Sequence, residues 1–233
     1  GQGIELAGAR EEVTALLEKA QIPFGTTILG LSDMPFDHPL NMGMLGMHGN
    51  LGPNVMTNQC DLLLAIGMRF DDRVTGNLST YAKQAKIIHF DIDPSEFNKN
   101  VAIDLAVLGD CKETLVAVTK KVESTQHNSW IEGFKPYAEK EFHKVIEKSI
   151  FPKEGPLLMG EVIHQVSEAT HHRGILVTDV GQNQMFSCRY FKVSNPRSVV
   201  TSGGIGTMGF GLPAAIGATF GCPERTVCLF CGD

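Results

Sequence analysis

Glycine-rich segments and carboxylates that follow apolar runs are the parts of this sequence best suited to bind a ligand. The segment GIGTMG at 204–209 matches the pattern G-x-G-x-x-G, and Asp233 follows an apolar run 24 residues beyond Gly209. In an α/β sheet these features are typical of a dinucleotide site. The pattern also arises by chance in a chain with 25 glycines. Because the small residues continue through GFGLPAAIG, a close-packed ligand cradle or subunit contact is favoured over an NAD site.

A second glycine turn follows the apolar run GILVTD at 174–179. Gly181 allows a tight exit from a strand, and Gln182 and Asn183 place amide donors at a helix N-terminus, where a phosphate binds well. The same residues could cap the helix without any ligand. Spacing alone leaves both interpretations open.

Three segments in the first half of the chain carry further candidate groups. RFDDR at 69–73 offers two guanidiniums that could fix a phosphate or a carboxylate, or could form surface ion pairs only. DIDP at 91–94 places carboxylates where ribose hydroxyls are commonly bound, although Asp93 also suits a helix start. MLGMHG at 44–49 has methionines that adapt to a flat ring, whereas a lone His48 is more often structural.

Strands and helices must alternate to position these segments. Short apolar runs alternate with amphipathic segments, which indicates parallel strands joined by helices. The patterns predict strands over 24–29, 61–67, 86–91, 101–108, 174–179, 198–201 and 226–230. They predict helices over 9–20, 111–122, 158–170, 185–191 and 207–221. Strands that end near Thr27, Arg69 and Asp91 should bring their carboxyl ends to one edge.

The domain organisation follows from a change of composition in the middle of the chain. Residues 125–156 are polar, contain the only Trp, and include a charged helix-like stretch at 136–148. We predict an α/β protein with two doubly wound parallel-sheet domains. The first domain, at 1–124, is expected to lack its first part and perhaps a strand, 125–156 is an interdomain linker, and 157–233 is the N-terminal part of a truncated second domain.

Charge and composition argue against several classes of function. A net charge of −6 is unfavourable for nucleic-acid binding, and no apolar run is long enough to predict a membrane span. The first residues do not resemble a signal peptide, and the chain is expected to be a fragment. Six cysteines in a chain of 233 residues favour a reducing, cytoplasmic compartment. The pair Cys228 and Cys231 lies in a strand-like run and is expected to be buried in the core.

Several longer motifs together resemble one enzyme family. MLGMHG, GMRFDDRVTG, HFDIDP, DVGQNQMF, SGGIGTMGFGLPAAIGA and the terminal GD are similar in order and spacing to the catalytic large subunit of acetohydroxyacid (acetolactate) synthase. The resemblance covers the whole chain, from a middle FAD-binding domain into the C-terminal thiamine-diphosphate domain. The alternatives are another thiamine-diphosphate and FAD enzyme, of the pyruvate oxidase type, and a flavin-binding module without catalysis.

The resemblance implies an activity, cofactors and partners. The implied reaction condenses pyruvate, after decarboxylation, with pyruvate or 2-oxobutyrate, and gives 2-acetolactate or 2-aceto-2-hydroxybutyrate for valine, leucine and isoleucine biosynthesis. The implied cofactors are thiamine diphosphate, Mg²⁺ and a mainly structural FAD. The implied assembly is a homodimer or tetramer with the active site at a subunit interface, with room for a small regulatory subunit. The implied location is the cytoplasm, or an organelle in a eukaryote.

The resemblance also implies roles for individual residues. Arg73 would meet the carboxylate of the 2-oxo acid. The residues implied to bind FAD are Gly1, Gly3, Thr27, Ile28, Leu45, Gly46, Met47, His48, Gly67, Arg69, Asp71, Arg73, Asp91, Ile92, Asp110 and Cys111.

The thiamine diphosphate and its metal would be held by the second half of the chain. Asn183 stands where the family usually has His, which puts a role for an imidazole in doubt. Met208 would lie beneath the bent thiamine, and Asp233 would be the first Mg²⁺ ligand. The full set implied for thiamine diphosphate is Gly181, Gln182, Asn183, Gly206 and Met208. The activating glutamate of the family lies in an N-terminal domain, so these 233 residues alone are expected to be inactive.

Overall fold

The fold is mixed α/β, and every strand pairing within residues 1–232 is parallel. The computed structural model describes residues 1–232, so Asp233, the predicted first metal ligand, lies outside the described residues. The predicted α/β class and parallel pairing are confirmed. Within the same residues, no helix combines the length and apolar character needed to cross a membrane.

The first half of the chain contains five strands and the helices between them. The strands are β1 (Phe24–Thr26), β2 (Asn41–Met44), β3 (Leu62–Ile66), β4 (Lys86–Asp91) and β5 (Leu105–Leu108). The helices are α1 (Gln2–Leu6), α2 (Arg10–Ala20), α3 (Leu51–Thr57), α4 (Asp72–Thr75) and α5 (Cys111–Lys121), with 3₁₀ turns at Ile28–Gly30 and Pro94–Glu96. The 3₁₀ turn ends β1 at Thr26, so the predicted strand over 24–29 is too long.

Helices α2 and α5 pack together over the apolar core of the first half. In α2, Val13, Leu16, Leu17 and Ala20 are all buried, as the helical spacing of these residues predicts. In α5, Leu115 is fully buried in the same core. This packing fixes the helices on one side of the strands.

The strands of the first half form two separate sheets instead of one continuous sheet. β1 pairs with β2, and the other sheet has the order β3-β4-β5. Between β1 and β3 lies a cavity of about 1010 Å³, lined mainly by apolar side chains from both strands and from α2. The Gly1 amino group lies at one end of this cavity and donates to the Ile66 carbonyl oxygen at 2.9 Å. The predicted doubly wound sheet is therefore interrupted at this position in the described residues.

Residues 128–150 form several short helices that pack on both halves, with α7 on α3 and the last helix on the core of the second half. They are α6 (Asn128–Glu132), α7 (Lys135–Glu141), a π-helical turn (Phe142–Ile146) and α8 (Glu147–Ile150). Pro136 lies in the first turn of α7, where its missing N–H costs no hydrogen bond. Because α7 contacts α3, this stretch is a packed connection, and the single helix predicted over 136–148 is interrupted by the π turn.

The second half has a three-stranded parallel sheet with a fully buried central strand. Its order is β7-β6-β8, and all four residues of β6 are buried. The elements are α9 (Met159–Ala169), β6 (Ile175–Thr178), α10 (Gln182–Tyr190), β7 (Val199–Val200), α11 (Gly211–Gly221) and β8 (Val227–Phe230). The C-x-x-C pair straddles the end of β8, where Cys228 is half-buried and Cys231 is exposed. The prediction that both are core residues is wrong for Cys231.

Two helix starts differ from prediction because glycines adopt left-handed backbone angles. α10 begins at Gln182, three residues before the predicted start, directly after Gly181 with φ 112°. α11 begins at Gly211 rather than at 207, because Gly206 and Gly209 have φ values of 69° and 83° that a helix does not contain. The glycine segment before α11 is therefore a loop.

A buried carboxyl group, Asp33, lies beside α1 and α2. It is 3% exposed, and neither of its oxygens has a hydrogen-bond partner in the described residues. The charged side chains around it are those of Glu5 and Arg10. Burial is the main cause that raises the pKa of Asp33 to about 7.

This raised pKa predicts a pH-dependent stability. The folded chain holds the Asp33 proton more tightly than the unfolded chain, so Asp33 lowers the free energy of unfolding as pH rises from about 4 to about 7, by about 1.4 kcal/mol per pH unit. In urea titrations, the free energy of unfolding of Asp33→Asn should rise relative to that of the unmodified chain as pH increases from 5 to 8. The exposed Asp37→Asn is the control. Parallel pH curves for Asp33→Asn and the unmodified chain would contradict this expectation.

Candidate functional site

A second cavity, of about 880 Å³, lies between the two halves of the chain. From the first half it is lined by α1 and by the segments that follow β1, β3, β4 and β5. From the second half it is lined by residues after β6 and by the glycine segment at 202–206. Parallel pairing explains this convergence, since parallel strands end at the same edge of a sheet. We call this space the interdomain cavity.

The interdomain cavity collects most of the residues predicted to bind FAD. All of that set except Gly1 and Gly46 line it, although they come from segments spread over more than a hundred residues. Gly1 lines the cavity between β1 and β3. Gly46 is buried against α4, where an added Cβ would lie 2.7 Å from the Arg73 carbonyl oxygen.

The floor of the interdomain cavity is made by two glycines in backbone contact. The Gly3 amide donates to the Gly67 carbonyl oxygen at 3.0 Å. Gly67 has φ 59°, and a Cβ there would lie 2.7 Å from the Gly3 Cα. Both positions therefore require glycine, and they expose backbone instead of side chains to a ligand.

The RFDDR segment forms charged pairs on the rim of the interdomain cavity. Arg69 Nη2 lies 2.5 Å from Asp71 Oδ2, and Arg73 Nη1 lies 2.6 Å from Asp72 Oδ2. The side chains of Arg69 and Arg73 are 56% and 70% exposed, so water screens both pairs. Hydrogen bonding to Arg73 lowers the pKa of Asp72. The two arginines are accessible from the cavity while paired with neighbouring acids.

Asp91, at the end of β4, and Asp110, after β5, both line the interdomain cavity. Asp91 ends β4, and its carbonyl oxygen accepts from the Gly109 amide at 3.0 Å. Asp110 caps α5 by accepting from the Lys112 amide at 2.8 Å. Asp93 accepts from the Ser95 amide at 2.8 Å and begins a 3₁₀ turn, which confirms its predicted role at a helix start.

The MLGMHG loop is fixed by its backbone and presents two side chains to the interdomain cavity. The Met47 amide donates to the Arg73 carbonyl oxygen at 2.8 Å, and the Gly46 amide donates to Asn54 Oδ1 at 2.9 Å. Met47 is 68% exposed and His48 is half-buried. Burial lowers the pKa of His48, so its imidazole is neutral at pH 7.

The predicted diphosphate segment forms the N-terminus of α10, next to the interdomain cavity. Gln182 is exposed, whereas Asn183 is buried and its Nδ2 donates to the Val180 carbonyl oxygen at 3.0 Å. Asn183 Oδ1 has no hydrogen-bond partner in residues 1–232. A Cβ at Gly232 would lie 3.7 Å from Asn183 Nδ2, so the end of the second sheet adjoins this helix start. Val180, just before Gly181, lines the cavity itself.

Asp179 holds the glycine loop, a role that the sequence did not indicate. Its carboxylate accepts from the amides of Gly209 at 3.0 Å, Gly211 at 2.7 Å and Val180 at 2.9 Å. These backbone donors, with Gly211 first, lower the pKa of Asp179. Within the loop thus anchored, the Met208 side chain is 82% exposed. The available signal was the position of Asp179 directly after a buried strand.

No three His, Cys, Asp or Glu side chains within residues 1–232 come together as a metal site. The predicted Mg²⁺ ligand, Asp233, lies outside those residues.

Comparisons with known proteins match two separate parts of the chain. Residues 1–118 match the family model for the thiamine pyrophosphate enzyme central domain, and residues 179–233 match the model for the C-terminal TPP binding domain. The chain is 42% identical over 240 residues to the probable acetolactate synthase large subunit of Methanocaldococcus jannaschii, covering 100% of this chain and 40% of the relative. It is 41% identical over 238 residues to the acetolactate synthase large subunit of Lactococcus lactis subsp. lactis, with coverages of 100% and 40%.

A third relative is similar over the same extent. The chain is 40% identical over 233 residues to the acetolactate synthase isozyme 1 large subunit of Escherichia coli, covering 100% of this chain and 40% of the relative. The chain therefore spans about two fifths of the length of these curated relatives.

The bonds of Asp179 predict a measurable loosening of the glycine loop in a variant. Asp179→Ala removes the acceptor for the Gly209 and Gly211 amides, so their hydrogen exchange should become roughly fivefold faster. Because its pKa is lowered, the unmodified carboxylate keeps these bonds at neutral pH and loses them only in acid. Amide exchange measured by NMR is the test, with the exposed Asp61→Ala as control. Unchanged exchange at both glycines in Asp179→Ala would show that Asp179 does not hold the loop.

Proposed function

We propose that this chain, which belongs to the family of thiamine pyrophosphate enzymes, forms the flavin-binding and diphosphate-binding parts of an acetolactate synthase large subunit. The main observation behind the proposal is the interdomain cavity of about 880 Å³. Most of the predicted flavin residues line it, together with residues at the start of α10 and in the loop before α11. The relatives named acetolactate synthase large subunits align with the whole chain, which supports the proposal.

The proposed reaction joins pyruvate, after loss of CO₂, to a second 2-oxo acid. Thiamine diphosphate, when bound, supplies the carbanion chemistry of this reaction. The residues of this chain would contribute binding, orientation and a binding site for the substrate carboxylate. Arg73 is the proposed carboxylate partner, because its guanidinium is exposed on the rim of the interdomain cavity.

The start of α10 fits a diphosphate. The first amides of a helix have no intrahelical acceptor and favour an anion. Gly181 leaves the approach open, since a Cβ there would meet only Asn183 Nδ2 at 3.9 Å. One Asn183 N–H is already used by the Val180 carbonyl oxygen, so Asn183 would contribute at most its second N–H and its unpartnered Oδ1. A Mg²⁺ ion would be held by Asp233 together with diphosphate oxygens.

The glycine loop fits an aromatic ring system. Met208 is largely exposed and polarizable, so its side chain can lie under a ring without displacing a packed neighbour. Gly206 has φ 69°, a backbone angle that favours glycine, and a glycine places no side chain against a ligand. We assign the thiamine rings to this loop.

FAD fits the interdomain cavity in size and chemistry. Its volume of about 880 Å³ lies in the range of cofactor pockets, about 300–1,000 Å³. Gly3 and Gly67 allow the ligand to reach the backbone, and Arg69 offers a cation for a phosphate. Asp91 and Asp110 offer carboxylates for hydroxyl groups.

An exposed apolar stripe on α11 indicates a surface that another part of a longer protein or another subunit covers. Leu212, Ile216 and Phe220 recur every four residues and are 61%, 52% and 84% exposed. Such a stripe on one helix face is typical of a surface that another domain or subunit covers. A homodimer or tetramer, a regulatory subunit and the cytoplasmic location stay predictions.

A chimera tests the proposed function. These 233 residues would replace the aligned residues of the Lactococcus lactis relative, and the chimera should form acetolactate from pyruvate with thiamine diphosphate, Mg²⁺ and FAD. A folded chimera that binds FAD but makes acetyl phosphate or hydrogen peroxide would favour the pyruvate oxidase type. A folded chimera that yields no carboligated product would contradict the proposal.

The proposed contact between Arg73 and the substrate carboxylate predicts that substitution of Arg73 changes the KM for pyruvate. Arg73→Met in the chimera should raise the KM for pyruvate roughly tenfold, because a charge-assisted contact to the carboxylate is lost. Arg73→Lys should raise it less, and the exposed Arg197→Met is the control. An unchanged KM in Arg73→Met would exclude Arg73 as the carboxylate partner.

A further inference from the structure

Arg189, near the end of α10, joins the second half of the chain to the MLGMHG loop. Its Nη1 donates to the Gly49 carbonyl oxygen at 2.7 Å and lies 3.3 Å from the His48 carbonyl oxygen. Its Nη2 donates to Glu141 Oε1 at the end of α7. The Arg189 and Glu141 side chains are only 17% and 7% exposed. One guanidinium therefore connects three segments that are distant in sequence.

Glu141 continues this network to the other end of the loop. Its Oε2 accepts from the Leu51 amide at 3.0 Å and from Asn50 Nδ2 at 3.3 Å. The amide oxygen of Asn50 accepts in turn from the Met44 amide at 2.9 Å. Both ends of the loop over 44–51 are thus held by one buried ion pair.

This network mainly fixes the geometry of the MLGMHG loop. Net stability gained from a buried ion pair is small, because desolvation of both charges offsets their attraction. The planar guanidinium, in contrast, fixes the directions of the groups it binds. The His48 and Gly49 carbonyl groups are held toward α10, while the Met47 and His48 side chains line the interdomain cavity.

We propose that Arg189, held by Glu141, is a positioning residue for the flavin. By binding the His48 and Gly49 carbonyl oxygens, Arg189 fixes Met47 and His48 at the cavity wall. It also sets the distance from this loop to the helix whose N-terminus is assigned to the diphosphate. This inference rests on the proposed function, since it takes the interdomain cavity as a flavin site.

Single and double variants, made in the chimera described above, separate positioning from stability. Arg189→Met and Glu141→Leu each leave one buried charge without its partner, so both should lower the midpoint of urea unfolding. The double variant Arg189→Met/Glu141→Leu contains neither charge and should recover much of that midpoint. It still lacks the Arg189 donor to the loop carbonyl groups and the Glu141 acceptor for Leu51 and Asn50, so its flavin affinity should stay low. Arg197→Met is the matched control, because Arg197 is an exposed arginine of the same half.

The measurements are FAD affinity, from flavin fluorescence, and hydrogen exchange of the amides at 44–51. We expect Arg189→Met and the double variant to bind FAD about tenfold more weakly and to exchange faster over 44–51. Arg189→Lys should recover part of the affinity, since a lysine can donate to the Gly49 carbonyl oxygen but has no planar fork. The Arg197→Met control should match the unmodified chimera in the urea midpoint, in FAD affinity and in amide exchange over 44–51.

Two results would overturn the positioning role. One is a double variant whose FAD affinity returns together with its stability, which would show a structural contact only. The other is unchanged exchange over 44–51 in Arg189→Met. Absence of FAD binding by the folded, unmodified chimera would instead contradict the proposed function. The exchange measurement would then still decide whether Arg189 anchors the loop.

Discussion

Parallel strand direction is the constraint on which the rest of this structure depends. Since every pairing in residues 1–232 is parallel, the strands of each sheet deliver their following residues to one edge. β3 delivers Gly67, β4 ends at Asp91, and β6 is followed by Asp179. Residues that follow strands of all three sheets meet at the interdomain cavity, so groups far apart in sequence line one space of about 880 Å³.

Polar side chains then anchor the loops that follow the strands. Asp179 holds the glycine loop through the Gly209 and Gly211 amides, and Arg189 holds the MLGMHG loop through two carbonyl groups. Both anchors bind backbone atoms, so they constrain the path of a loop and leave its side chains available. A cofactor site needs this combination, because rigid loops keep the ordering entropy of binding small.

Strand and helix positions could be predicted where local pattern decides them. The strand at 86–91 and the buried face of α2 follow from apolar runs and helical spacing. Features set by distant contacts could not be predicted: Arg189 and Glu141 are 48 residues apart, and Asp179 and Gly211 are 32 apart. The start of α11 at Gly211 depends on the left-handed backbone angles of the preceding glycines, which the sequence pattern does not give. The gap between β1 and β3 depends on the pairing of strands, which local pattern does not decide. Most residues of the candidate site were predicted from the motif resemblance, which identifies residues but not the contacts between them.

The interdomain cavity, and not the cavity between β1 and β3, is the proposed flavin site. An amide-exchange footprint of the chimera with and without FAD distinguishes the two cavities. We expect FAD to protect amides in both halves of the chain, at residues 27–29, 67–69 and 203–206. Protection confined to β1, β3 and α2, or no protection by FAD at all, would contradict this assignment.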